Sequence, residues 1–313
     1  MSIVIITEEK DISSNKIIEY LVAHRVSFER VNSNEFKKIS LNVTNFEELD
    51  DSNQLVIYHR RSCQLFIPTE LQKTKLAYYI LSENDIVNKS FEKINKIQAK
   101  YFGGYLEENQ HDKLFDLYLA KQCGFKVPET LVTNNKSDLL NFIDKYEKVI
   151  TKPIKNPLVH IEGDVIYFTN NTFLVVDEHI KTLDDYFVIS KFQEYIEKEI
   201  EIRVFYFDNQ FFSMAIFSQN DEQTKVDFRN YDFEKPNRTI PFALPKDIVK
   251  KLKKLLRIKN INSCSIDLIL TPDNEFVFLE INPQSQYGWL SDNCNYHINE
   301  FIAKKLIKYG KAI

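Results

Sequence analysis

The chain has 313 residues, and its composition excludes several classes of protein. Apolar residues make up 43% of it and charged residues 27%, which is typical of a globular protein and not of a disordered one. The formal net charge is only −4, so the chain as a whole is not suited to coating nucleic acid. Its length allows two or three small domains with ordinary hydrophobic cores.

The N-terminal segment and the cysteines predict a cytoplasmic protein. The opening segment MSIVIITEEKDISSN has a short apolar run without a basic leader, so no signal peptide is expected. No stretch approaches the ~20 apolar residues that a membrane span needs. Cys63, Cys123, Cys264 and Cys294 are scattered without metal-ligand spacing, and reduced thiols are expected.

Hydrophobic periodicity predicts an open α/β unit from residue 1 to about residue 104. Strands are predicted at 2–7, 27–32 and 54–59, a helix at 15–24 and a helical stretch at 69–100. The alternation of strands with helices is the basis for this assignment. Segment 103–110 holds two of the six glycines and several polar residues, and is predicted to be a linker.

Two further units are predicted at 111–185 and 186–313. In the first we expect helices at 111–122 and 137–146, strands at 128–132 and 148–152, and a hairpin of 164–168 with 172–176 around Asn170-Asn171. In the second we expect strands at 188–191, 200–206 and 211–217, helices at 246–256 and 298–308, and a hairpin over 264–282. The predicted fold class is therefore α/β and α+β.

The strongest chemical signal is the last hairpin, which contains Asp267, Glu280 and Asn282. A turn centred on 273–274 places Asp267 opposite Glu280. Asn282 shares a face with Glu280, because side chains alternate along a strand. Facing carboxylates with apolar neighbours repel each other, and a magnesium ion would remove that penalty. A solvated hairpin whose acids face each other by chance is the alternative interpretation.

Two lysines and a polar strand end add candidate nucleotide contacts. Lys152 ends a predicted strand and projects toward a loop, and Lys113 lies in the first turn of a helix, where the dipole disfavours it. The backbone at Glu194 and Tyr195 is suited to an adenine edge, and Glu201 on the next strand to ribose hydroxyls. Each of these residues alone is equally compatible with a surface charge or an edge strand.

In their order and spacing, these elements resemble the ATP-grasp superfamily. The resemblance rests on Lys113, Lys152, Glu194-Tyr195, Glu201-Ile-Arg203, Asp227-Phe-Arg229-Asn230, Asp267 and Glu280-Ile-Asn282. It implies an ATP-grasp fold with an N-terminal α/β domain (1–104), a central lid domain (111–185) and a C-terminal ATP-grasp domain (186–313). It also implies that ATP lies between the last two domains, under a mobile lid.

The same resemblance implies a role for each site residue. The implied ligands are Lys113 and Lys152 for the ATP phosphates; Gln193, Glu194, Tyr195, Glu201 and Asn230 for the remaining nucleotide contacts; and Asp267, Glu280 and Asn282 for Mg2+. Arg203 and Arg229 are the expected catalytic residues, since a guanidinium matches a phosphoryl group or a carboxylate with two hydrogen bonds. Such clamps lower the barrier by positioning and charge stabilisation.

Two further segments narrow the resemblance to one kind of enzyme. Tyr58-His-Arg60-Arg61 and residues 282–289 resemble ATP-grasp peptide maturases of the microviridin or graspetide type, especially the grasp-with-spasm group. Such enzymes phosphorylate an Asp or Glu of a ribosomally made precursor peptide. A Ser or Thr hydroxyl or a Lys amine then displaces the phosphate and closes an ester or amide ring. The implied cofactors are ATP and Mg2+, and the implied partner is a precursor peptide with leader and core.

Two other functions stay open on the sequence. An amino-acid ligase that adds glutamate-like residues to a protein or cofactor tail would use the same chemistry. A nucleotide-binding regulatory module without turnover is the alternative of another class. Loop 156–163, which has a single glycine where many ATP-grasp enzymes have several, slightly favours this alternative. The complete set of Asp267, Glu280 and Asn282 weighs more strongly against it, because a pure binding module has less need of a metal site.

Some features of the reaction are not determined by the sequence. Arg60 and Arg61 either bind an acidic core peptide or simply lie at the end of a strand without a binding role. No general base for the acceptor stands out among His160, His179 and His297. The leader-binding surface, the ester or amide linkage and the oligomeric state, with a homodimer as one option, are also left open.

Overall fold

A computed structural model gives the fold of the chain. It describes residues 2–32, 55–61, 67–72, 74–109, 111–155, 159–162, 165–168, 172–220, 223–230, 232 and 234–311. Cys63, the turn Asn170-Asn171, part of loop 156–163 and the side chain of His160 lie outside these residues. Cys123, Cys264 and Cys294 are free and buried. Within the described residues, no helix combines the length and apolarity that a membrane crossing requires.

The N-terminal region is a parallel sheet with helices on both faces. Its elements are β1 (Ser2–Thr7), α1 (Ile12–Ala23), β2 (Glu29–Asn32), β3 (Leu55–His59), α2 (Leu76–Gln98) and β4 (Ala99–Gly103), with strand order β2-β1-β3-β4. The predicted α/β unit is confirmed. β4 was not predicted, because its residues overlap the end of the predicted helical stretch and the start of the predicted linker. Only pairing with β3 makes them a strand.

The middle of the chain forms an antiparallel sheet covered by one helix. Its elements are α3 (Tyr105–Asn109), α4 (Lys113–Gln122), β5 (Thr130–Asn135), α5 (Lys136–Tyr146), β6 (Val149–Thr151), β7 (Val159–Glu162), β8 (Val165–Phe168), β9 (Phe173–Leu174), α6 (Asp177–Thr182) and β10 (Tyr186–Glu194). The sheet order is β5-β10-β6-β9. Leu139 of α5 packs on Val149 and Phe192 to form its core.

The predicted hairpin of 164–168 with 172–176 is wrong. β8 pairs with β7, in the register Val159↔Phe168 to Glu162↔Val165, so the hairpin turn lies one strand earlier. β9 pairs with β6 instead. The Asn-Asn pair suggested a hairpin turn. Which strands pair, however, depends on which strand edges lie side by side in the folded protein.

The C-terminal region is a five-stranded antiparallel sheet between two apolar layers. It consists of β11 (Ile200–Phe207), β12 (Gln210–Phe217), β13 (Arg238–Pro241), α7 (Lys246–Ile258), β14 (Ser263–Leu270), β15 (Phe276–Asn282), α8 (Gly288–Cys294) and α9 (Ile298–Lys311), in the order β13-β12-β11-β14-β15. Leu117 of α4 and Leu252 of α7 pack on one face. Part of the other face packs against α8, α9 and the N-terminal sheet, as Phe205 and Tyr58 illustrate.

Several elements cross the predicted domain boundaries, which stay predictions. β10 was assigned to the last domain, but it pairs with β5 and β6 of the middle sheet. α4 was assigned to the lid, but it packs on β15 and α7. The predicted linker at 103–110 contains the short helix α3. A strand or helix joins the layer that buries its apolar face, and that layer need not be the one formed by its neighbours in sequence.

A buried ion pair fastens the N-terminal sheet to the C-terminal region. Arg60, at the end of β3, is 5% exposed and its Nε donates to Asp11 Oδ2 at 3.0 Å. Its Nη1 donates to the carbonyl oxygens of Gln284 and Ser285, the latter at 2.8 Å. The guanidinium also lies over the ring of Tyr287. Arg60 is therefore an internal brace and not a peptide-binding residue.

We predict that Arg60→Met destabilises the protein by about 3 kcal/mol, because it removes the closer and more buried of the two cations at the carboxylate of Asp11 and leaves only Arg61, whose Nε is 3.6 Å away. Urea denaturation would measure the loss. Lys16→Met is the matched control: it breaks an ion pair with Asp292 whose side chains are 43% and 62% exposed, and should cost less than about 1 kcal/mol. Equal effects of the two substitutions would contradict the bracing role of Arg60.

Candidate active site

A β-bulge determines which face of the hairpin β14–β15 carries the acids. Asp267 pairs with Glu280, as predicted, but Leu268 pairs with Phe278, so Leu279 is an extra residue on β15. Before the bulge Phe278 faces the apolar core, and after it Ile281 does. The extra residue thereby moves Glu280 from the core face to the face of Asp267.

Hydrogen bonds and ion pairs neutralise the facing acids. Arg203 Nη1 on β11 donates to both carboxylate oxygens of Asp267 at 2.8 Å. Lys113 Nζ, at the start of α4, donates to Glu280 Oε2 at 3.1 Å. Asn282 Nδ2 donates to Asp267 Oδ2 at 2.9 Å and to Glu280 Oε1 at 3.0 Å. The structure thus brings these five predicted site residues into one cluster.

The pKa values of Asp267 and Glu280 are shifted in opposite directions. Burial raises the pKa of Asp267, and Arg203 only partly opposes this shift. Burial would also raise the pKa of Glu280, but Lys152 and Lys113 outweigh it and hold this pKa well below its usual range. Glu280 is therefore the firmly ionised member of the pair.

A cavity of about 430 Å³ opens over the acid cluster. Its walls combine the cluster with the loop after β15 and with the segment before α4, and the lining residues are Glu108, His111, Lys113, Lys155, Arg203, Phe228, Arg229, Asp267, Glu280, Asn282, Pro283, Gln284, Gln286 and Trp289. Four of these side chains are cationic. A cavity with this lining is suited to an anionic substrate group.

A second, narrower pocket of about 70 Å³ lies between the middle and C-terminal sheets. Its apolar walls include Ile150, Ile269 and Leu279, and its polar lining includes the predicted residues Lys152, Gln193, Glu194, Tyr195 and Glu201. The two cavities share Phe228, Arg229, Asp267 and Glu280. The acid cluster therefore stands at the junction of the two cavities.

The strand end that lines the narrow pocket has both free and occupied polar groups. The backbone N–H groups of Glu194 and Tyr195 donate to the carbonyl oxygens of Glu129 and Lys148, at 3.1 and 2.9 Å. They are therefore used by the sheet and are not available to an adenine ring. Gln193 is 1% exposed, and its Oε1 is buried without a hydrogen-bond partner among the described residues.

Glu201 is held by Lys198, a residue that we did not predict. Lys198 Nζ donates to Glu201 Oε1 at 2.7 Å, and Ser218 Oγ donates to the same oxygen at 2.8 Å. Burial raises the pKa of Glu201, while Lys198 opposes the shift. Both residues line the narrow pocket.

Of the two residues predicted on segment 227–230, only Arg229 reaches the cavities. Arg229 Nε and Nη2 donate to the two carboxylate oxygens of Asp227 at 2.8 and 2.6 Å, and the side chain is 41% exposed. This pairing keeps the pKa of Arg229 above its usual range despite burial. Asn230 lines neither cavity, and its carbonyl oxygen accepts a hydrogen bond from Gln223 Nε2.

Lys191 is a further buried cation at this site. It is 3% exposed, and its Nζ donates to the carbonyl oxygen of Pro153, next to Lys152, at 2.9 Å. Burial and the neighbouring Lys152 lower the pKa of Lys191 to about 7. Burial also lowers the pKa of Lys152. Lys191 precedes Gln193 by two residues on β10, so strand alternation was the signal that would have identified it.

The donor set at the junction fits a magnesium ion. Two carboxylates and an amide on one face supply the oxygen ligands that magnesium prefers, and a cation beside Asp267 would oppose the rise in its pKa that burial causes. Among the described residues, no group of three or more His, Cys, Asp or Glu side chains could hold a metal ion. A magnesium site here would combine the two acids with Asn282.

We predict that Lys191 makes nucleotide affinity pH-dependent. Its pKa of about 7 leaves it half neutral near pH 7, and a bound phosphate favours the charged form. Affinity for ATP should therefore rise as pH falls from about 8 to about 7, by at most about tenfold per pH unit for one linked proton, and level off below pH 7, where Lys191 is already charged in the free protein.

Calorimetric titration of ATP into the wild-type chain and Lys191→Met measures this slope. Lys145→Met is the matched control, because this lysine is on the surface of α5. The wild type and the control should share a slope that Lys191→Met reduces. An unchanged slope in Lys191→Met would contradict the prediction.

Comparisons with known proteins place the whole chain in one structural class. No protein-family model matches the sequence, and no curated protein matches it. Solved structures do match. A RiPP-associated ATP-grasp ligase from Chryseobacterium gregarium, in complex with ADP and a leader and core peptide, has a TM-score of 0.81 and 26% identity, over 98% of this chain and 96% of that one.

Two other solved structures extend this likeness. The macrocyclase MdnC from Microcystis aeruginosa MRC, bound with the precursor peptide MdnA, has a TM-score of 0.77 and 26% identity, over 98% of this chain and 100% of that one. The ATP-grasp ligase PsnB, complexed with a minimal precursor, Mg and ADP, has a TM-score of 0.75 at 15% identity, over 99% and 97% of the two chains. The last match supports the fold alone.

Proposed function

We propose that this chain, which is an ATP-grasp ligase of the kind that matures ribosomally made peptides, closes rings in a precursor peptide with ATP and Mg2+. The resemblance predicted from the sequence is confirmed by the solved structures that share its fold. In the reaction, an Asp or Glu side chain of the peptide becomes an acyl phosphate. A Ser or Thr hydroxyl or a Lys amine of the same peptide then displaces phosphate.

One observation carries this proposal: the narrow pocket and the larger cavity meet at Asp267 and Glu280. A nucleoside needs apolar walls with a few polar contacts, and the narrow pocket offers Ile150, Ile269 and Leu279 for this purpose. A peptide carboxylate needs cations and space, as in the larger cavity. At their junction, a phosphoryl group on a nucleotide in the narrow pocket would reach a carboxylate in the larger cavity.

The adenosine moiety would lie in the narrow pocket. The buried Gln193 Oε1 is an acceptor for the adenine amino group, and Ile150 and Leu279 would pack on the ring. The pocket, at about 70 Å³, is smaller than ordinary ligand pockets of roughly 300–1,000 Å³. Nucleotide entry therefore requires the middle sheet to move away from the C-terminal sheet, in agreement with a lid.

The phosphates would extend toward the acid cluster. Lys113, Lys152 and Lys191 approach this position from α4, from the end of β6 and from β10. Mg2+, held by Asp267, Glu280 and Asn282, would supply charge neutralisation for the triphosphate. The three lysines also compensate for a phosphate loop that has few glycines, since ammonium groups can replace the missing close backbone contacts.

Arg203 and Arg229 would position the reacting groups. Arg229 lines both cavities, and Arg203 lines the larger one. An oxygen of the peptide carboxylate forms a bond to the γ-phosphorus, and ADP leaves with the electron pair of the broken bond. The two guanidinium groups stabilise the charge on the transferred phosphoryl group.

A second candidate function uses the same site. An amino-acid ligase would also need the anion-binding cavity, but its acceptor would be a free amino acid or a tail. The cavity of about 430 Å³ has room for either acceptor. The neighbours bound to leader and core peptides favour the peptide substrate. We further propose that the enzyme acts in the cytoplasm, where ATP is available.

Mass spectrometry separates these functions. A short peptide encoded beside the gene, with acidic and hydroxyl side chains, should lose one water per ring when it is incubated with the chain, ATP and magnesium. Tail addition would instead raise the mass by an amino-acid residue. Binding of ATP without any mass change would contradict the ring-closing proposal and favour a regulatory module.

We predict that Glu280→Ala combined with Asn282→Ala lowers ring formation at least about 100-fold, because the phosphates lose their charge-neutralising metal. Glu275→Ala is the matched control on the same hairpin, since its ion pair with Lys126 is half exposed and far along the strand from the cluster. Thermal unfolding should find both variants folded. Normal ATP-dependent activity in the double variant would contradict the metal assignment.

A further inference from the structure

The larger cavity contains a histidine in contact with a buried aspartate. His111 lines the cavity, and its side chain is 7% exposed. Its Nε2 lies 3.0 Å from Oδ2 of Asp116, whose side chain is fully buried. The two atoms are not aligned as a hydrogen bond, and neither has another hydrogen-bond partner among the described residues. Lys259 contacts the other oxygen of Asp116.

The local sequence explains why these two residues meet. Asp112 is the N-cap of α4, and its Oδ1 accepts from the N–H groups of Leu114 and Phe115 at 3.0 Å. His111 therefore precedes the cap, and Asp116 is the fourth residue of the helix. Side chains at these two positions pack together at helix starts, usually as an apolar pair. Here the pair is polar and is tied into the protein by Lys259.

We propose that His111 is the general base that takes the proton from the acceptor hydroxyl or amine during ring closure, and that Asp116 positions it. This inference rests on the proposed function, whose reaction needs such a base. A buried carboxylate beside Nε2 favours the tautomer with the proton on Nε2. Nδ1 then carries the lone pair, on a ring that lines the cavity.

The other acids in the cavity wall are occupied. Asp267 accepts hydrogen bonds from Arg203, and Glu280 accepts one from Lys113. Glu108 Oε1 accepts a hydrogen bond from the backbone N–H of Arg61 at 3.0 Å. Neutral histidine is an effective base near neutral pH. In the step itself, the acceptor oxygen forms a bond to the acyl carbon as its proton moves to Nδ1. The bond from carbon to the phosphate oxygen breaks, and phosphate leaves with the electron pair.

The test measures formation of the acyl phosphate separately from its conversion into a ring. His111→Gln keeps a donor toward Asp116 but has no basic nitrogen. Formation of the acyl phosphate needs no such base, and hydroxylamine attacks it as a neutral amine and loses its proton to water, so that trapping needs no base from the protein. With ATP, magnesium, peptide and hydroxylamine, this variant should form peptide hydroxamate at the wild-type rate. Without hydroxylamine, its ring closure should fall by about 100- to 10,000-fold.

The control variant is His24→Gln, at the exposed C-terminal end of α1, which should match the wild type in both assays. Ring closure by His111→Gln within about threefold of the wild type would overturn the proposal. An equal fall in hydroxamate and rings would also overturn it, since His111 would then act before acyl transfer. If the wild type forms neither hydroxamate nor rings, the proposed function itself fails.

Asp116→Asn tests the positioning role. An amide at this position can donate to Nε2 and reverse the tautomer, so that Nδ1 carries the proton and cannot accept one. Hydroxamate formation should persist while ring closure falls, as in His111→Gln. Because Lys259 loses its carboxylate, thermal unfolding must accompany the assay. A parallel loss of both products, in a variant that unfolds early, would make Asp116 a structural residue and overturn its positioning role.

Discussion

Two partly buried carboxylates, Asp267 and Glu280, face each other across β14 and β15, and the site is organised by the need to neutralise them. Acids in an apolar setting are tolerated only with compensating charge. Arg203 supplies it from β11, and Lys113 from the start of α4. In the function that we propose, the same cations would bind a nucleotide phosphate and a peptide carboxylate. Substrate would then bind by exchange of partners within a cluster that is already charged.

The bulge at Leu279 makes this arrangement compatible with an apolar core. β15 must place Phe278 and Ile281 against α4 and α7, and it must also place Glu280 in the cavity. A regular strand would put Phe278 and Glu280 on the same face. One extra residue changes the alternation between them. The same residue, Leu279, then lines the narrow pocket, so one bulge determines the packing of the core, the position of the acid cluster and a wall of the narrow pocket.

The cavity wall depends on parts of the chain that are distant in sequence. Arg60, from the N-terminal sheet, holds the carbonyl groups of Gln284 and Ser285, and the loop after β15 thereby acquires a fixed position. The segment before α4 contributes His111, fixed by Asp116. The N-terminal sheet therefore supports one wall of the larger cavity.

Much of this protein could be predicted from the sequence, because the signals concerned are local. The alternation in β14 and β15 predicted the pairing of Asp267 with Glu280, and the order of lysines, acids and arginines was sufficient to indicate an ATP-grasp ligase. The hairpin at β7 and β8 was missed, as was the membership of β10 in the middle sheet. Both depend on which strand edge is available, a property of the assembled layers.

At the site, tertiary structure decided which polar groups are free. The backbone N–H groups of Glu194 and Tyr195 looked available for adenine but are used by neighbouring segments. Arg60 looked like a peptide-binding residue but is buried with Asp11. Residue type and spacing determine what a side chain can bind, and both can be read from the sequence. Whether it has already found a partner depends on segments far along the chain, and only the folded structure brings them into contact.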